Sequence, residues 1–138
     1  MILFLILFLL ASPAHAQEFY VYKPVKITDG DTIKLDVSKE SPLIKKLGLS
    51  VRIKGIDTPE KAPRAKCNKE NILGQQATVF TTYLIGNKEL LLSQVENDRY
   101  GGRIIANVKV GGVDVAQELL KKGLARVYNG EKKKSWCD

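Results

Sequence analysis

Residues 51–60 read VRIKGIDTPE. The stretch opens as an alternating strand, with Val51 and Ile53 on one face and Arg52 and Lys54 on the other, and it ends in two carboxylates around a proline. Asp57, Thr58 and Pro59 supply a turn, because Asp bonds to nearby backbone and proline presets φ. Turn formation leaves Glu60 unexplained, and it leaves an arginine on the polar face of the strand that leads to two acids.

The strand sits in a chain of 138 residues whose start differs from the rest. Residues 1–16, MILFLILFLLASPAHA, form an apolar run followed by Ala14 and Ala16 in the A-x-A arrangement of a secretory signal, with the cut expected after Ala16. The run is too short for an ordinary transmembrane helix, and no Lys or Arg stands near Met1; an uncleaved anchor is the alternative. Residues 17–138 then form a single domain, secreted or periplasmic and with no stable membrane partner after removal of the signal. The formal net charge is +7, and none of the charged residues lies in 1–16. Such a surplus favours polyanionic partners, nucleic acid among them, although it also serves solubility alone.

The single histidine is His15, inside the expected signal. Residues 17–138 therefore have no imidazole for a general base, a zinc site or a Ser-His-Asp triad. Chemistry must come from carboxylates, Arg, Lys, Tyr, hydroxyls or a hard metal ion. Cys67 and Cys137 are the two cysteines, and an even count in an exported chain predicts a disulfide between them, worth about 4 kcal/mol for so long a loop. Two separate thiols, or pairing between chains, are the alternatives.

Residues 19–27 and 31–37 read as strands joined through Thr28, Asp29 and Gly30, and residues 50–55 as a third. The connection over 38–49 has no legible form. Leu73, Ala77, Phe80 and Leu84 make one apolar stripe on a helix over 71–86. Residues 88–95 and 103–110 read as two further strands across ENDRYGG. Asp114 and Gln117 have capping spacing, and Gly123 closes a short second helix. Three strands, a helix, two strands and a helix describe an α+β fold, namely a five-stranded OB-type barrel with two or more helices, whose curved face suits an extended polymer. Another α+β sheet satisfies the same periodicity.

Asp29 and Asp31 at one strand boundary, and Asp57 and Glu60 at another, converge if those strands are neighbours. Hard oxygen ligands on turns suit calcium better than zinc. An EF-hand is excluded, because Ile33 and Lys34 occupy positions where that loop needs a ligand and a glycine. Taken singly, each motif has an ordinary explanation: a solvated hairpin turn, a turn into a loop, an arginine facing water.

Taken together, DGDTIKL, VRIKGIDTPE, GQQATVF, DRYGGR and KKGLARV resemble the staphylococcal nuclease (thermonuclease) family, in order and across nearly all of residues 17–138. The resemblance implies one catalytic calcium ion held by the Asp31 and Asp57 carboxylates and the Thr58 backbone carbonyl, with Asp29 a nearby acid. It implies Arg52, Glu60 and Arg103 as the catalytic set, with Glu60 the general base, and Arg99 and Tyr100 as substrate-phosphate contacts. Tyr128 matches a stacking position more loosely, ordinary packing being the equal alternative for it. The implied activity is endonucleolytic hydrolysis of DNA and RNA by a monomer, leaving 3′-phosphate ends. A catalytically silent OB module that binds nucleic acid is the rival, and a basic protein binding other polyanions a weaker third.

The sequence departs from the family at three places. DRYGGR has an additional glycine before Arg103, which the turn must absorb as a bulge if Arg103 rather than Arg99 is to be the second arginine. The connection over 38–49 is longer, and KKKSWCD at 132–138 does not continue as the long C-terminal helix, so that the expected disulfide secures the tail instead.

Overall fold

The structure is a computed structural model and describes residues 17–138; the expected signal, 1–16, lies outside the described residues. The chain order is β1 (Phe19–Tyr22), β2 (Pro24–Asp29), β3 (Thr32–Leu35), α1 (Pro42–Leu47), β4 (Ser50–Ile53), β5 (Ile56–Asp57), α2 (Asn68–Ile85), β6 (Leu90–Asn97), β7 (Arg103–Val110), β8 (Val113–Asp114), α3 (Val115–Lys121) and β9 (Arg126–Val127). One sheet has the order β1-β6-β7-β4-β3-β2, with β8 on β7, and β5 pairs with β9 as a separate ribbon.

The two ends of that order, β1 and β2, are separated in sequence by Lys23 alone. A sheet whose opposite edges are joined by one residue must curl until they meet. The expected first strand over 19–27 is therefore one strand bent at a corner: its first half pairs with β6 and its second half with β3. Pro24 explains the corner, because it has no N–H to continue the ladder, while the Lys23 carbonyl accepts from the Asp36 amide at 2.8 Å. Counted this way, β1/β2, β3, β4, β6 and β7 are the five strands of an OB-type α+β barrel. All adjacent pairs are antiparallel except β4 with β7.

The apolar positions of the strands face inward as alternation dictates. Ile33, Leu35, Val51, Ile53, Leu92, Ala106 and Val108 are buried and meet Val115 and Leu119 of α3. Lys34 is exposed, and Arg52 is only half-buried on the opposite face. The unread connection contains α1, which opens after Ser41 with Pro42 at its first turn and contributes no buried residue.

Helix α2 differs from the expected stripe. Its buried positions are Glu70, Gly74, Ala77, Thr81 and Ile85, whereas Leu73, Phe80 and Leu84 lie to one side, half-buried. The cause is close approach: a Cβ on Gly30 of the β2–β3 turn would lie 2.7 Å from the Ala77 Cβ, and Thr81 Oγ1 donates to the Gly30 carbonyl at 2.7 Å. Small residues face the hairpin because larger ones would push it away. Helix α3 is capped as expected, Asp114 Oδ1 accepting from the Gln117 amide, and Gly123 follows at φ +69°. Among the described residues no helix is long and apolar enough to cross a membrane.

Candidate active site

Cross-strand register places Thr32 of β3 opposite Arg52 of β4, and Arg52 opposite Ile105 of β7. Register partners share a face, so these three form the floor of a cleft of about 970 Å³. Asp29, Asp31, Glu60, Arg99, Tyr100, Arg103 and Tyr128 line the same cleft. Every expected catalytic and substrate-contacting residue thus stands around one space, although these residues come from five separate segments.

Arg52 is the hub. Its Nη2 lies 3.7 Å from Asp31 Oδ2 and 3.6 Å from Asp57 Oδ1, and donates to the Ile56 carbonyl at 3.2 Å. Its guanidinium also stands 5.3 Å from the centre of the Tyr128 ring. The β4–β5 turn that delivers Asp57 depends on Gly55, at φ +81°, and the Tyr128 amide donates to the Gly55 carbonyl at 2.9 Å. Turn and ring are thereby fixed to each other.

Asp31, Asp57 and Thr58 are buried. Asp31 accepts from the Thr58 amide at 3.1 Å and from the Thr32 hydroxyl at 3.0 Å. Burial pushes its carboxyl above the ordinary range; Arg52 and those two donors oppose the shift, and the neighbouring Asp57 adds to it. Thr58 Oγ1 is buried without a hydrogen-bond partner among the described residues. Two buried carboxylates that converge on one guanidinium nitrogen form a hard, oxygen-rich donor set of the kind calcium takes, whereas Thr58 Oγ1 lies toward Gly30. By contrast, the one cluster of three ligating atoms within 4.8 Å of each other among the described residues is Cys67, Glu70 and Cys137, whose sulfurs are joined to each other.

Glu60 is half-buried, and burial raises its carboxyl above the ordinary range. Arg64 pulls it back, while Asp29 and Asp31 push it further up. Arg64 was not foreseen. Its Nε donates to Glu60 Oε2 at 2.9 Å and its Nη2 pairs with Asp29 Oδ2 at 2.5 Å, so it ties the two acids together and leaves Glu60 Oε1 without a hydrogen-bond partner among the described residues. Glu70 was not foreseen either. Its Oε1 accepts from the Glu60 amide at 3.4 Å and its Oε2 from the Lys66 amide at 2.7 Å, bracing the loop from inside. The spacing Cys67-x-x-Glu70 was the available signal, a capping pattern with cysteine at the cap, and the Glu70 amide does donate to Cys67 Sγ.

In the turn that holds the additional glycine, Gly102 has φ +74°, and the register irregularity of the β6–β7 pair lies between Ser93 and Glu96. Arg103 begins β7, pairs through Nε with Asp98 Oδ2 at 2.5 Å, and stands 4.6 Å from the centre of the Tyr100 ring. Arg99 stands 5.1 Å from the same ring and is exposed. Burial alone would raise the Asp98 carboxyl, but Arg103 and the amides of Arg99 and Tyr100 hold it below its ordinary value. Asp98 is therefore the anchor that fixes Arg103 in the cleft.

The Cys67–Cys137 disulfide is present and spans 70 residues. Two residues of the segment it secures were also missed: Lys133, whose Nζ is 3.0 Å from Asp57 Oδ1, and Trp136, whose Nε1 donates to Asp57 Oδ2 at 3.3 Å.

Comparison with known proteins shows the family. The profile of the family described as staphylococcal nuclease homologue matches residues 50–136, more than half of the chain. The chain belongs to the staphylococcal nuclease homologue family. Within it, the chain is 33% identical over 108 residues to a thermonuclease of Staphylococcus hyicus, covering 76% of this chain and 57% of that protein. It is 28% identical over 125 residues to an uncharacterized endonuclease of Escherichia coli, covering 90% and 71%. Endonuclease YncB of Bacillus subtilis is 35% identical over 101 residues, covering 72% and 44%. The chain spans 57% of the first of these relatives and only 33% of a probable endonuclease of Candida glabrata. The family match begins at Ser50, so the β2–β3 turn that carries Asp29 and Asp31 lies outside it and joins the site through the fold.

Proposed function

We propose that the protein is an exported, calcium-dependent, sugar-nonspecific endonuclease that hydrolyses DNA and RNA and leaves 3′-phosphate ends. The observation that carries this reading is the assembly of two arginines, the buried Asp31 and the half-buried Glu60 around one open cleft, with the buried Asp57 outside its lining and 3.6 Å from Arg52. A binding module needs neither a positioned carboxylate nor a buried acid pair. Membership of a family with relatives named as endonucleases supports the same class. The apolar leader and the disulfide support export to an oxidising compartment.

A phosphodiester repels nucleophiles by its charge, and more negative charge gathers on its equatorial oxygens as the attack proceeds. Arg52 in the floor of the cleft and Arg103 in its lining take up that charge through paired N–H donors. Asp31, Asp57 and the Thr58 carbonyl would hold a calcium ion, which would supply further positive charge against that of the phosphate. Glu60 orients the attacking water and takes its proton at Oε1, the oxygen that Arg64 leaves free. A bond forms between the water oxygen and phosphorus, the bond from phosphorus to the 5′ oxygen breaks, and the leaving oxygen collects a proton from solvent. Arg99 and Tyr100 contact a neighbouring substrate phosphate, Tyr128 offers a face to a base, and no ribose hydroxyl takes part, so DNA and RNA both fit.

The test is cleavage of single-stranded DNA and RNA in calcium or in chelator, with analysis of the product ends. Calcium-dependent cutting of both polymers to 3′-phosphates is expected. Binding without cutting by folded protein would favour the silent OB module instead.

A further inference from the structure

The proposed reaction uses nothing beyond Tyr128, yet residues 129–138 turn back onto the site. Trp136 is the only tryptophan and is 7% exposed. Its indole donates to Asp57 Oδ2, and its ring lies 3.9 Å from the Arg126 guanidinium carbon. Arg126 donates to the Ser135 carbonyl at 2.6 Å and is the register partner of Asp57 across the β5–β9 ribbon. Lys133 takes the other oxygen of Asp57. Both oxygens of one carboxylate are thus held by the tail, one by a neutral donor on a buried ring and one by an ammonium on a half-exposed side chain.

This segment has no helix or strand, and Trp136 is its one buried hydrophobic side chain. Ordering such a coil costs about 1–2 kcal/mol per residue, more than a few surface contacts return. The covalent tie is adjacent: Cys137 follows Trp136 and is bonded to Cys67, the cap of α2.

We infer that Trp136 is a positioning residue for Asp57, held in place by the Cys67–Cys137 disulfide, so that this carboxylate is oriented for a cation only in the oxidised protein. The inference rests on the reading of Asp57 as a calcium ligand. A donor fixed on Oδ2 sets the plane of the carboxylate and presents Oδ1, from which the Lys133 ammonium is displaced by a cation. Donors behind a metal ligand typically govern affinity by about 10–100-fold.

One tryptophan gives one indole N–H resonance. In the oxidised protein, Asp57→Ala is expected to move it. Reduction by a dithiol, which adds two electrons and two protons to the sulfurs and leaves the reagent as a cyclic disulfide, is expected to move it to the position of a free indole. A resonance indifferent to both overturns the inference without reference to calcium. Calorimetric titration with calcium then compares the wild type with Trp136→Phe, which keeps a ring for Arg126 and loses the donor, and with the double variant Cys67→Ser/Cys137→Ser. Each is expected to bind calcium about tenfold more weakly while retaining a cooperative melt. Wild-type affinity in folded Trp136→Phe overturns the positioning role. A wild type that binds no calcium overturns the calcium reading instead, while the response of the indole to Asp57→Ala continues to support the tail's hold on that residue.

Discussion

Gly74 offers a sharp test of how the site is held, because it lies on the face of α2 that abuts the backbone of Glu60. A Cβ at this position would lie 2.6 Å from the Glu60 carbonyl carbon and 2.9 Å from the Lys61 nitrogen. Both are backbone atoms, so no side chain can swing aside. The Glu60 carbonyl oxygen is closer still, so restoring ordinary contact at 3.4 Å requires helix and loop to part by about 1 Å. In a free helix, Gly→Ala gains about 1 kcal/mol, whereas overpacking of this kind costs about 1–3 kcal/mol. Gly74→Ala is therefore expected to lose about 1 kcal/mol net, or some 4 °C in melting temperature. The larger effect falls on catalysis, since a displacement of about 1 Å at a catalytic group costs on the order of a hundredfold in rate. Thermal melts and initial rates of calcium-dependent cleavage, measured on one preparation, give both numbers. A variant more stable than the wild type by about 1 kcal/mol, and equally fast, would refute the reasoning, because it would mean that α2 does not press on the Glu60 turn.

Three further outcomes are expected. Arg52→Lys keeps a charge for Asp31, Asp57 and the Ile56 carbonyl, all of which face the single Nη2, but loses the planar pair of N–H donors that matches two phosphate oxygens; kcat should fall by about 10²–10³ with oligonucleotide affinity changed far less, as separate rate and binding measurements will show. Glu60 must be ionised to take a proton, and burial raises its carboxyl, so the acid limb of the pH–rate profile should lie above that of an ordinary carboxylate; Arg64→Ala, which removes the group pulling Glu60 down, should move that limb to higher pH. The Asp98 carboxyl is held below its ordinary value, so its contribution to stability is present above the unfolded pKa and is lost as pH falls through the folded one. Asp98→Asn should cost about 1 kcal/mol at neutral pH by urea unfolding, with the difference from wild type vanishing in strong acid.

How much of this was legible in the sequence depends on the range of the interaction that fixes each feature. Alternation placed Val51 and Ile53 inside and Arg52 out, and β7 falls on the expected residues 103–110, because strand faces are a local property. The Asp114 cap is local too. The bend at Lys23 was illegible, since only pairing with two strands far apart in sequence reveals that residues 19–27 serve both edges of a barrel. The stripe on α2 was misread for a related reason: Gly74, Ala77 and Thr81 are buried by what approaches them, whereas a hydrophobic count ranks Leu73 and Phe80 above them. In the site, the resemblance pointed to residues that meet substrate and cation. It was silent on Arg64, Glu70, Lys133 and Trp136, which act on those residues from a loop, the first turn of α2 and the tail. The pair Glu60 and Arg64 did carry a signal, since acid and base stand four apart, but in a Pro-containing loop that spacing has no helical meaning.

The central claim is that Glu60 serves as the base in a cleft otherwise built for phosphate. Its most direct test is the single-turnover rate of Glu60→Gln beside wild type on one single-stranded oligonucleotide in calcium, with binding of the same oligonucleotide measured in chelator. A rate lower by about 10²–10⁴ with affinity nearly unchanged is expected. Equal cutting by the folded variant would contradict it and move the base, or the site itself, elsewhere.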